Sequence, residues 1–238
     1  MSDPKAPSKT ATGDVARSTS SSAELDAFLN KVQSLQPAAS GRGRLIVAMD
    51  ATMSRQPTWD LALSLQSEMF RAVKEVGGLD VQLMYFRGFG ECRSSRWVGD
   101  PDALARLMRQ VHCEGGHTQI RKVLSHARQE NERQTVNALV YVGDCMEENI
   151  DTLSQLAGEL GLVGVPVFVF QEGHDAGAER AFREIARLSR GAYCRFDAGS
   201  SAQLRELLRA VAVYATGGRK ALENAKGGAA TLLLEQLR

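Results

Sequence analysis

Arg44-Leu45-Ile46-Val47-Ala48-Met49-Asp50-Ala51-Thr52-Met53-Ser54 is the stretch on which the fold turns. Leu45 to Met49 is a short continuous apolar run, the pattern of a strand buried on both faces. Such strands belong to parallel sheets covered by helices on each side. The run ends in Asp50, after which three oxygen-bearing side chains alternate: Asp50, Thr52 and Ser54. In an extended turn that spacing points all three the same way.

Working outward, strands and amphipathic helices alternate. A helix is expected from about Thr58, with Leu61, Leu65, Met69, Val73 and Val76 on one side and Gly77-Gly78 closing it. Val81 to Phe86 reads as the second strand, Arg87 to Gly90 as a turn, and Ser95 to Val98 as a short antiparallel edge strand. Asp100-Pro101 starts a helix running to about Val111. Further helices are expected near Gln119–Asn131, Ile150–Leu160, Ala176–Ser189 and Ala202–Tyr214. The strands between them are Asn137–Gly143, Val165–Phe170 and Ala192–Phe196. This order predicts an α/β fold: a doubly wound, mostly parallel, Rossmann-like sheet of about six strands with one antiparallel edge strand.

Residues 1–40 form an expected N-terminal arm, disordered through its Ser-, Thr- and Pro-rich start and partly helical from Ser22 to Leu35. The α/β domain is expected over 41–216, and a helical tail over 217–238. Lys and Arg total 29 against 28 for Asp and Glu. This balance argues against a nucleic-acid partner held by phosphate neutralisation. The N-terminal stretch has no apolar core of a secretory signal, and no run reaches the ~18–20 apolar residues of a membrane span. The expectation is therefore a cytoplasmic chain, with Cys92, Cys113, Cys145 and Cys194 as reduced thiols.

In an open parallel sheet, ligands bind beyond the carboxyl ends of the strands. Asp50, Thr52 and Ser54 follow the first strand; Gly143-Asp144-Cys145, then Glu147 and Glu148, follow the strand before Ile150. A glycine-rich loop between them carries Gly115-Gly116-His117-Thr118. Asp50-x-Thr52-x-Ser54, Thr118 and Asp144 together resemble the metal-ion-dependent adhesion site of von Willebrand factor A domains, over roughly residues 43 to 215. The chain departs from the usual pattern twice: Thr52 stands for a Ser, and Cys145 for the Gly that commonly follows the last Asp. All five positions still carry oxygen.

The resemblance implies a Mg²⁺ (or Mn²⁺) site, with Thr52, Ser54 and Thr118 contacting the metal and Asp50 and Asp144 doing so directly or through water. A hard cation of this kind suits an oxygen shell that keeps waters. The vacant position would take a Glu or Asp from a protein partner, and Arg87, Glu147 and Glu148 are the expected partner-binding residues. Members of intracellular bacterial type imply an AAA+ ATPase or a multi-protein complex as partner, which would make the chain an adaptor and not an enzyme.

Other readings stand beside this one. Asp50, Thr52 and Ser54 are also turn and capping residues. His112, Cys113, His117 and Cys145 raise a zinc site, although their spacing fits no standard pattern. Trp97 reads as packing, and Arg180, Arg183, Arg187 and Arg190 as one solvated helix face. A metal-free scaffold of the same fold is a further reading. So is a phosphohydrolase using Asp50 as nucleophile, but Thr52 occupies the place where a general acid would sit.

Overall fold

The computed structural model describes residues 42–55, 78–100, 103, 106, 111–196, 208–217 and 221. The N-terminal arm, the helix expected from Thr58 and most of the C-terminal tail lie outside these residues. So does the helix expected from Asp100, apart from Ala103 and Arg106, which are helical.

Six strands form one sheet: β1 (Gly43–Asp50), β2 (Leu79–Arg87), β3 (Glu91–Ser94), β4 (Ala138–Gly143), β5 (Val167–Glu172) and β6 (Ala192–Phe196). Their order is β3-β2-β1-β4-β5-β6, parallel throughout except for β3. The chain adds strands outward on one side of β1 and then returns to add them on the other, so the direction switches between β1 and β4. All eight β1 residues are buried, as a central two-faced strand requires.

Side chains divide by the two-residue period of the strands. Leu45, Val47 and Met49 join Val81, Val140 and Phe168 in one core, closed by helical residues 208–217 through Leu208, Val211 and Ala215. Ile46 and Ala48 join Leu139, Tyr141 and Val169 in the other. That second core is closed by α1 (Ile120–Arg133), α2 (Ile150–Leu162) and α3 (Ala176–Leu188). Asn149 caps α2 by accepting from the Thr152 amide, and Asp175 caps α3 by accepting from Ala178. No helix among the described residues is long and apolar enough to cross a membrane.

The antiparallel edge strand lies four residues earlier than the sequence pattern suggested, at Glu91–Ser94 in place of Ser95–Val98. A three-residue turn, Gly88 to Gly90, begins the return at once, so Arg87 already pairs with Glu91. Gly88 there has φ 59°, the left-handed region that glycine enters without strain. Met84 faces Ser94 while Val81 faces Val98, three steps on one strand against four on the other. One extra residue is therefore accommodated near Ser95, whose hydroxyl accepts from the Leu83 amide.

Trp97 does more than fill space. At the end of the sheet opposite the strand-end loops, the Arg44 guanidinium lies 3.8 Å from its ring centroid. The Trp97 indole N–H donates to Glu130 Oε2 at 2.6 Å, and Arg44 Nη2 reaches the same oxygen at 3.3 Å. Arg44 and Glu130 are both buried, and Arg133 also pairs with Glu130 at 2.6 Å, so the carboxylate is shared by two arginines. Glu130→Ala should therefore cost about 3–4 kcal/mol in urea denaturation, by stranding the Arg44 charge and the indole N–H. A loss below ~1 kcal/mol would show that water takes over the role of the carboxylate.

Candidate metal centre

The β1–β4 pairing sets Met49 beside Val142, so Asp50 comes level with Gly143 and Asp144 follows one residue beyond. Adjacent strands lie about 4.8 Å apart, which makes the two carboxylates neighbours. Asp50 is fully buried. Its Oδ1 accepts from the Thr52 amide at 2.8 Å, the turn chemistry expected of an Asp at this place. Its Oδ2 is buried with no hydrogen-bond partner, and so is Asp144 Oδ1. Thr52 Oγ1 and Ser54 Oγ stand 3.1 Å apart on the same turn.

Thr118 arrives on the loop that precedes α1. That loop is fastened to the β1 end by a parallel bridge between Thr52 and Glu114 and by the Glu114 amide donating to Ala51 O at 3.0 Å. Gly116 packs against the Gly88 turn so closely that a Cβ there would meet Gly88 O at 2.0 Å. Thr118 is joined to the β4 end twice: its amide donates to Glu147 Oε2, and its hydroxyl accepts from the Glu147 amide, both at 3.1 Å. The structure thus places Asp50, Thr52 and Ser54 on one turn, Asp144 next to Asp50, and Thr118 on the loop tied to both strand ends.

The three residues expected to meet a partner are engaged within the chain. Arg87 pairs with Glu91 at 2.9 Å and Glu114 at 3.5 Å, and donates to His112 O. Glu147 also meets His117 Nδ1 at 3.1 Å. Glu148 accepts from the Ile120 and Arg121 amides, capping the start of α1 from a distant loop. A cavity of about 230 Å³ opens beside Thr118, with Phe89, His117, Lys122 and Glu148 on its wall.

One contributor escaped the sequence reading. Arg55, fully buried, ion-pairs with Glu172 at the end of β5 at 2.7 Å. Nothing local marks an arginine for burial when its carboxylate is over a hundred residues away. Cys145, which the sequence set beside Asp144 and in a zinc group with His112, Cys113 and His117, joins the two aspartates instead. Its Sγ, an Asp50 carboxylate oxygen and an Asp144 carboxylate oxygen all lie within 4.8 Å of one another. Among the described residues no other trio of His, Cys, Asp or Glu gathers this way, so His112, Cys113 and His117 form no such group with Cys145. Tyr141 sits beneath, with its hydroxyl buried, and a Cβ on Gly143 would come within 2.4 Å of it.

Burial pushes the Asp50 carboxyl up to about 6; the Thr52 hydrogen bonds pull it down, Asp144 pushes it further up, and Arg55 opposes. Two carboxylates placed this way suit a divalent cation, and the hydroxyls of Thr52 and Ser54 add neutral oxygen donors. In the absence of metal, the folded chain keeps the Asp50 proton at pH values where the unfolded chain has lost it. The resulting stability is whole below about pH 4 and is lost as pH rises through about 6. A shift of ~2 units corresponds to about 3 kcal/mol. Asp50→Asn should flatten that slope and raise the melting temperature in EDTA at pH 7.5. Thermal scans from pH 4 to 8 that keep the wild-type slope in Asp50→Asn would assign it elsewhere.

No known family's sequence model matches the chain, and no curated protein sequence does. Solved structures do. A von Willebrand factor type A protein from Catenulispora acidiphila superposes with a TM-score of 0.60 at 14% identity, over 75% of this chain and 44% of that one. The SpRpn10 VWA domain gives 0.56 at 12%, over 70% of this chain and 93% of that domain. Proximal thread matrix protein 1 from the mussel byssus, solved with a zinc-occupied MIDAS motif, gives 0.58 at 16%, over 74% and 46%. The chain spans less than half of the first and third of these proteins. With the sheet order and the antiparallel edge strand, these likenesses identify the fold as that of a von Willebrand factor A domain.

Proposed function

We propose that this chain is an interaction module that holds a divalent metal, Mg²⁺ or Mn²⁺, and recruits a protein partner through it. Asp50, Thr52, Ser54, Thr118 and Asp144 would hold the ion. Bound there, the metal would supply a Lewis-acidic position open to a Glu or Asp of the partner. The observation that carries the reading is the pair of buried, unpartnered oxygens, Asp50 Oδ2 and Asp144 Oδ1, brought together from adjacent strands. A buried acceptor without a partner costs about 1–3 kcal/mol, and more when charged, so a cation is the natural complement.

The surroundings support docking at this end of the sheet. Phe89 and Met53 are exposed there, apolar side chains that a partner could cover. Lys122 borders the cavity beside Thr118 and could meet an acidic partner. Arg87, Glu147 and Glu148 would serve by fixing the loops that present the site. The relatives named above also support a binding role; the mussel protein's motif holds zinc, so a metal at this place on the fold has a parallel. An AAA+ ATPase or another multi-protein assembly in the cytoplasm is the partner class we propose.

Calorimetric titration with Mg²⁺ and Mn²⁺ should give one site in the wild type, lost in Asp50→Asn and Asp144→Asn. Partner capture should fail in EDTA and in Thr118→Ala. Capture that is indifferent to both treatments would remove the metal from the interaction.

A further inference from the structure

We propose that Cys145 is itself a metal ligand, and that its thiolate, with Asp50 and Asp144, makes the centre prefer Zn²⁺ to Mg²⁺. The inference rests on the reading that the centre holds a divalent ion, and it changes which ion is preferred.

The four cysteines occupy different settings. Cys194 is buried in one core and Cys92 packs against the other, while Cys113 leans on the first. Among the described residues only Cys145 gathers with two carboxylates closely enough to share an ion, and its thiol has Asp144 and Ser54 as hydrogen-bonding neighbours. A second, independent feature points into the same space. Asp50 has no exposed surface, and its Oδ2 has no hydrogen-bond partner.

Zn²⁺ is bound by Cys sulfur at about 2.3 Å and by carboxylate oxygen at about 2.0–2.2 Å in a tetrahedron, so its ligand atoms stand roughly 3.3–3.7 Å apart. The three atoms here lie within 4.8 Å of one another. A contraction of about 1 Å, within reach of side-chain rotation at Asp144 and Cys145, would close them on an ion. Three protein ligands leave the fourth tetrahedral position open, where a partner's carboxylate can bind. As the Zn–S bond forms, the thiol proton passes to solvent. Mg²⁺ gains nothing from the sulfur, because it is hard, octahedral and oxygen-seeking. The same pocket then distinguishes ions by softness: oxygen donors alone for Mg²⁺, and sulfur with two carboxylates for Zn²⁺.

Cobalt reports the sulfur directly, since a thiolate–Co²⁺ bond gives an intense near-ultraviolet charge-transfer band. Full-length wild type titrated with Co²⁺ should develop that band, and Zn²⁺ should bleach it at much lower concentration than Mg²⁺. Cys145→Ser keeps a hydrogen-bonding group beside Asp144. It should abolish the band and weaken Zn²⁺ binding about 10–100-fold, while moving Mg²⁺ affinity less than about threefold. A Co²⁺ complex without the band, a band that survives in Cys145→Ser, or equal losses of Zn²⁺ and Mg²⁺ would each overturn the thiolate assignment and leave the oxygen site standing. A wild type that binds none of the three ions would overturn both readings.

Discussion

Asp50 and Asp144 leave neighbouring parallel strands one residue apart in register, and one of them is wholly buried. Burial disfavours the charged form of Asp50, repulsion from Asp144 adds to it, and the chain responds by holding a proton on Asp50 up to about pH 6. Arg55, a buried cation paired with Glu172, offsets the Asp50 charge only in part. A divalent ion would resolve the remaining negative charge more completely than a proton can, because it offers two charges and several coordination positions to oxygens already in place.

The floor under the carboxylates is built to keep the arrangement rigid. Tyr141 is fully buried, stacks near Phe86 and meets Phe182 edge-on, which joins β4 to β2 and α3. Gly143 leaves room for its hydroxyl, so the strand can carry Asp144 upward without displacing the ring. Arg55 and Glu172 brace the β1 turn against the β5 end. Asp50 is thus set by backbone register below and by a buried ion pair to one side.

Much of this was legible in the sequence. The apolar run through Met49 announced a central strand, and the β–α alternation gave the sheet and its helices because period and length separate the two element types well. That Asp50, Thr52, Ser54 and Asp144 would gather was legible because they stand at strand ends. What was not legible depended on pairing at a distance. The edge strand was placed too late because hairpin register follows the turn, and Gly88-Phe89-Gly90 turns more tightly than the pattern of Ser95 to Val98 suggests. Trp97 read as packing because Arg44 and Glu130, its partners, lie 53 residues before it and 33 after it. Three acidic residues near the site also have partners within the chain: Glu172 pairs with Arg55, Asp175 caps the start of α3 and Glu148 the start of α1.

Such pairing is what prepares the site. Thr118 and Glu147 exchange backbone-to-side-chain hydrogen bonds in both directions, the reciprocity of a capping box spread over two loops. Glu148 then uses the first amides of α1 as its own partners, so the loop after β4 and the helix after Thr118 share one end. The β1 turn joins them through the Thr52–Glu114 bridge. Three loops that would otherwise each have to be ordered on binding are tied together already, and the entropy of fixing them falls on folding. The charge left for a ligand is therefore narrow and directional, confined to oxygens facing one another across the β1–β4 gap. Such a site selects by the number and kind of donors it presents, so a single sulfur beside those oxygens has leverage over which ion it takes.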